Sequence, residues 1–88
     1  MNWETKSTPN SSRISEIAYH QEVTNRNPEL SRGTLRITFK SKKEGSLPQI
    51  YSYNNVPRVA WVKLYFAESV GREFEISIKG NYSYTKEQ

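Results

Sequence analysis

Gln49-Ile50-Tyr51-Ser52-Tyr53-Asn54-Asn55-Val56-Pro57-Arg58-Val59-Ala60-Trp61-Val62-Lys63-Leu64-Tyr65 is the stretch in which this chain changes its period. Through Tyr53 the period is two: Ile50 faces away from Tyr51, so Tyr51 and Tyr53 share one face of a strand. Beyond Pro57, Trp61, Leu64 and Tyr65 recur at helical spacing, with Ala60 and Ala67 alongside. Asn54-Asn55-Val56-Pro57 reads as a helix start, because proline is tolerated in a first turn. The spacing predicts an amphipathic helix from about Pro57 to Glu68.

Upstream, Leu35, Ile37 and Phe39 alternate with Arg36, Thr38 and Lys40, the clearest period-two strand in the chain. The loop Ser41–Pro48 follows it. The turn-forming stretch Thr24–Gly33 precedes it. Ile14, Ile17 and Tyr19 mark a first strand that Val23 extends. Residues 1–12, polar and holding a proline, read as a flexible N-terminal tail in which Trp3 is the residue suited to dock. Downstream, Gly71 ends the helix or breaks it. For residues 71–79 two patterns compete: Val70, Phe74 and Ile78 lie four apart as on a helix, while Phe74, Ile76 and Ile78 alternate as on a strand. Gly80 stops the element. Tyr82 and Tyr84 lead into a polar C-terminal end, residues 85–88. Strands first and helical material second means α+β. The expectation is a small three-stranded antiparallel sheet followed by one or two short helices packed on one face, in a single domain over residues 13–84.

Composition narrows the chemistry. The chain has 88 residues and no cysteine, which excludes disulfides, thiolate nucleophiles and cysteine-based zinc sites. Its start lacks the apolar stretch of a signal peptide, and no run approaches the ~18 apolar residues of a membrane helix. The expected location is the cytoplasm. The net charge of +4 is uneven: residues 1–50 carry eight Lys and Arg against five Glu, and residues 51–88 carry five against four. His20 is the sole histidine. Without a cysteine partner or an acid at an orienting spacing, it makes poor metal or general-base material. The four glycines are isolated, and no phosphate-cradling loop is present. The reading is a non-catalytic binding module that needs no cofactor and no metal.

Tyr51-Ser52-Tyr53, Val56-Pro57, Trp61, Leu64, Gly71-Arg72-Glu73-Phe74, Ile78, Gly80 and Tyr82 together resemble the KTSC domain family, found at the C-terminus of some lysyl-tRNA synthetases and in free-standing bacterial and phage proteins. The likeness rests on Tyr-x-Tyr, the Val-Pro helix start, Gly-x-x-Phe and Ile-x-Gly-x-Tyr in that order, and runs over roughly residues 11–84. It implies three strands followed by helix, and RNA binding by association with a synthetase. It implies no catalytic residues. The loops Thr24–Gly33 and Ser41–Pro48 are longer than the family's hairpins, and Glu75 and Ser77 lower the positive charge of the last segment.

Two sets of binding residues stand out. For nucleic acid they are the basic strand face and loop, Arg36, Lys40, Lys42 and Lys43, with Tyr51 and Tyr53 as stacking rings. The competing role of the cations is protection of an exposed strand. The competing role of the tyrosines is packing under the helix. For a protein partner the residues are Val62 and Phe66, four apart and off the Trp61–Leu64–Tyr65 stripe. Under that alternative the chain is a protein-binding module, such as a phage-encoded inhibitor of a host enzyme or of a CRISPR-type defence complex. Self-association into a homo-oligomer is compatible with either.

Overall fold

The structure is a computed structural model that describes residues 3–9, 11–23, 26–27, 31–41, 45 and 47–87. Its elements are β1 (Glu4–Ser7), β2 (Ile14–Val23), β3 (Arg32–Phe39), β4 (Gln49–Pro57), α1 (Arg58–Tyr65), α2 (Val70–Glu73) continuing into a π-helical turn (Phe74–Ile78), and β5 (Tyr84–Lys86). The strands form one antiparallel sheet in the order β1-β2-β3-β4-β5. Each strand pairs with its sequence neighbour.

The fold is α+β, but the sheet has five strands, not three. The extra two come from the segments that read as polar ends. Glu4–Ser7 pairs with the Glu16–Tyr19 part of β2, and Tyr84–Lys86 pairs with Tyr51–Tyr53. Both are short edge strands, and a polar edge strand carries no apolar alternation for a pattern to detect. The three central strands stand where the alternation put them.

The pleat sorts side chains between two faces. Ile14, Ile17 and Tyr19 of β2, Leu35 and Ile37 of β3, and Tyr53 and Val56 of β4 are buried on the inner face. There α1 covers them with Ala60, Trp61 and Leu64, and the second helical segment adds Val70, Phe74 and Ile78. Tyr19 stacks on Trp61 with centroids 5.5 Å apart and an interplanar angle of 9°. Its hydroxyl donates to the Val56 carbonyl at 2.8 Å, so a buried polar group is satisfied where the strand meets the helix. Burial pushes that phenol up to about 12.

Two local corrections follow from backbone chemistry. Asn54 and Asn55 do not start the helix. They form a bulge in β4: Gly33 is opposite Val56 while Leu35 is opposite Tyr53, and Asn55 takes a φ of 58°. Asn tolerates that left-handed conformation better than most residues. Pro57 caps α1 from an extended conformation, and Arg58 N donates to the Ser31 carbonyl at 3.0 Å. The helix ends at Tyr65, three residues before the expected Glu68, because Ser69 starts a new helix. The Ser69 hydroxyl accepts from Arg72 N at 3.4 Å. Between the two competing patterns over 71–79, the helical one prevails. Phe74 and Ile78 are buried, whereas Ile76 is 67 % exposed.

The outer face is polar and bears the row Thr5, Ala18, Arg36, Ser52 and Thr85 across the sheet. Trp3 lies over this face, its ring 4.2 Å from the Arg36 guanidinium and 5.2 Å from the His20 ring. Among the described residues no helix is long and apolar enough to cross a membrane.

Candidate binding cleft

The inner face has two ends, and α1 covers only one. At the other end Phe39 closes β3, Tyr51 opens the inner row of β4, and Tyr84 stands opposite Tyr53 on β5. With Phe74 from the second helical segment, the rings form a connected cluster. Tyr51 stacks on Tyr84 at 5.3 Å and meets Phe39 edge-on at 5.5 Å. Phe74 meets Phe39 at 5.6 Å and Tyr53 at 5.5 Å, again edge-on. Offset and edge-to-face contacts are the arrangements aromatic quadrupoles prefer. The cluster is therefore a firm floor.

A cleft of about 500 Å³ opens above this floor, within the range of small-ligand sites. Tyr51, Tyr53, Phe39, Phe74 and Leu47 supply its apolar lining, and Arg13, Lys40 and Lys79 bring three cations to it. No carboxylate is among the described lining residues. Lys40 donates from Nζ to the Pro9 carbonyl at 3.2 Å and to the Ser11 carbonyl. Neutral carbonyls fix the ammonium and leave its charge uncancelled. Lys79 follows the π-helical turn and is exposed. Arg13 pairs with Glu75 across the rim, both side chains well exposed, and an exposed pair is held weakly. Burial, with Tyr84 and Tyr51 adding, pushes the Tyr53 hydroxyl up. It stays a neutral donor at physiological pH.

The residues expected to bind nucleic acid separate in space. Tyr51 and Lys40 share the cleft. Tyr53 is 4 % exposed and is chiefly core, with only its edge in the cleft lining. Arg36 does face outward with Thr38, but it is half-buried under Trp3, and its Nε lies 3.3 Å from Glu87 Oε2. It is not part of the cleft lining. Lys42 and Lys43 lie outside the described residues. The pair expected for a protein partner is exposed, Val62 on α1 at 41 % and Phe66, which caps the end of α1, at 76 %. Among the described residues no group of three or more His or Glu side chains is placed to hold a metal.

Arg13, Lys79 and Tyr84 were missed by sequence reasoning. Arg13 and Lys79 lie 66 positions apart, and no local spacing links them. Tyr84 carried a weak signal as the second of two tyrosines two residues apart near the end of the chain.

The sequence profile of the KTSC domain family matches residues 10–82. A crystal structure of a KTSC domain protein from Yersinia pestis superposes with a TM-score of 0.68 at 28 % identity, covering 97 % of each chain. No protein with a curated description matches the chain. Tyr-x-Tyr, Val-Pro, Gly-x-x-Phe and Ile-x-Gly-x-Tyr all fall inside the matched span, so the chain belongs to the KTSC domain family.

Proposed function

We propose that this chain is a binding module for single-stranded nucleic acid and that the cleft is its site. One base rests on the aromatic floor at Tyr51, and Lys40, Arg13 and Lys79 take the flanking phosphates. The observation that carries this reading is the convergence of rings and cations in one cleft with no carboxylate among its described lining residues. Stacked bases and phosphate-tracking cations are the two elements of sequence-tolerant single-strand binding. The reading keeps Tyr51 and Lys40 as binding residues and moves the site from the outer strand face to the inner cleft. Arg36 faces away from it, under Trp3.

Fluorescence anisotropy with labelled single-stranded RNA and DNA hexamers tests the proposal. Three phosphate contacts should give log K against log salt a slope of about −2, at roughly −0.7 per contact on a single strand. Tyr51→Ala should lose about 1–3 kcal/mol of stacking. The double variant Lys40→Ala, Lys79→Ala removes two cations without touching the core, and its salt slope should be shallower by about 1.4. Affinity that does not respond to salt, or is unchanged in that double variant, would sink the reading.

A second reading is supported by Val62 and Phe66. An exposed aliphatic–aromatic pair at the end of a helix is the kind of surface that anchors a protein partner, and neither Val62 nor Phe66 is among the residues α1 buries.

A further inference from the structure

Beside the cleft lies a second depression, of about 470 Å³, with Lys6, Pro9 and Ser11 on one side and the start of α2 on the other. Its lining is mainly polar. The charged groups facing it are Lys6, Arg13 and Arg72 against Glu68 and Glu75. Ser12 and Arg13 belong to the walls of both depressions. These two residues are a common wall, a saddle shared by both.

The saddle is firmly built. Thr8 Oγ1 donates to the Ile14 carbonyl at 2.7 Å, and Ser11 Oγ accepts from Ile14 N at 3.1 Å. Lys40 holds the carbonyls of Pro9 and Ser11 from the other side. Among the cations of the second depression, Lys6 is committed: it donates to the Tyr65 carbonyl and lies 4.8 Å from the centre of the Tyr65 ring. Arg72 is exposed at the start of α2. Arg13 spans the saddle, its guanidinium held by Glu75, with side chains 57 % and 43 % exposed. Two oxygens of a phosphate can accept the guanidinium fork as the two oxygens of a carboxylate do. An exposed ion pair is worth at most about 1 kcal/mol, so exchange of one anion for the other is cheap.

We infer that the two depressions form one continuous site for a single-stranded nucleic-acid segment longer than one nucleotide, crossing the saddle at Arg13. This rests on the reading of the first cleft as a nucleic-acid site and extends it. A base occupies the aromatic cleft. The phosphate that follows displaces Glu75 from Arg13, and the next phosphate meets Arg72 in the polar depression. Glu75 is thus a resident competitor for the Arg13 guanidinium, which sets how tightly the strand is held.

The test is a length series. Uridine and thymidine oligonucleotides of one, two, four and six residues are titrated against the wild-type chain, Arg72→Glu and Glu75→Gln. Both substitutions are on exposed side chains, and thermal melts check that each variant folds. Wild-type affinity should rise roughly tenfold or more from the mononucleotide to the tetramer, as phosphate contacts are added. Arg72→Glu should abolish the part of that rise beyond the dinucleotide and leave mononucleotide binding unchanged. Glu75→Gln should tighten the tetramer severalfold. The ribose and deoxyribose series separate RNA from DNA as the source of the strand. An affinity that stops rising at the dinucleotide, a rise beyond it that survives Arg72→Glu, or a Glu75→Gln variant no tighter than wild type would each overturn the inference while leaving the first cleft standing. No binding at any length would overturn the first-cleft reading and this one with it.

Discussion

Glu4 and Arg58, 54 positions apart, face each other as a two-pronged pair, with Arg58 Nη1 2.7 Å from Glu4 Oε2 and Nη2 2.9 Å from Glu4 Oε1. Nη1 also donates to Gln21 Oε1 at 3.1 Å. The pair ties the first residue of the edge strand β1 to the first residue of α1. It is one reason a polar N-terminal segment has a place in the sheet.

The pair makes the docking of β1 pH-dependent. The Arg58 hydrogen bond holds the Glu4 carboxyl below its ordinary value near 4.5; the Arg58 charge and the Trp61 side chain add to this, and burial opposes it. A carboxyl whose folded value is depressed contributes stability above its unfolded value, and that contribution fades as pH falls through the folded one. Thermal melts of wild type and Glu4→Gln should differ at pH 7 by about 0.2–1 kcal/mol, since both side chains are partly exposed. The difference should shrink once the pH drops below about 4.5 and close at lower pH. A gap that stays constant from pH 7 to pH 2 would show that the pair contributes nothing ionic.

Gly33 is fixed by close approach. A Cβ there would lie 2.2 Å from the His20 carbonyl oxygen and 2.8 Å from Gln21 Cα, both backbone atoms beside a break in the β2–β3 register. Backbone cannot swing aside as a side chain can. Gly33→Ala should therefore cost about 1–3 kcal/mol, the usual range for overpacking, read as a lowered urea midpoint. Gly45 and Gly80 have open space where a Cβ would go but take φ values near 83° and 82°. Ala at either should cost less, about 1 kcal/mol.

Trp61 is 2 % exposed and stacked on Tyr19. Trp61→Ala should cost about 3–5 kcal/mol, enough to unfold much of a small domain whose total is typically about 5–15 kcal/mol. Circular dichroism and a urea unfolding curve of the variant beside wild type give the measurement. A fully folded Trp61→Ala variant would show that the core does not depend on this side chain.

Val62 and Phe66 predict the reverse. Charging the pair, Val62→Glu with Phe66→Lys, should move the stability by no more than about 1 kcal/mol, because exposed substitutions are typically within ±0.5 each. If the protein-binding reading holds, the same variant loses a co-purifying protein or a self-associated species in size-exclusion chromatography. A variant that unfolds, or one that keeps every partner, removes the best surface for that reading.

The periods in the chain determined the central strands and the helical segments. Leu35, Ile37 and Phe39 could only face a core from a strand, and Trp61 and Leu64 could only meet one from a helix, because a period is a local property of neighbouring residues. The Tyr-x-Tyr and Gly-x-x-Phe spacings likewise pointed to the family. The edge strands were beyond reach. Glu4–Ser7 and Tyr84–Lys86 are held by ladder bonds and by partners such as Arg58 and Tyr51, which are distant in sequence, so nothing in their own composition marks them. The same holds for the cleft. Tyr51 and Lys40 stood out as residue types, but which cations would join them depended on where the folded chain returns. Antiparallel pairing brings Ile14 opposite Phe39 and so sets Arg13 beside Lys40, and the second helical segment ends with Lys79 at the same rim. Arg36, the best-placed cation by alternation, was removed from the set by Trp3 and Glu87 from the two ends of the chain. Local pattern decides which way a side chain points; only the packing of remote segments decides what covers it.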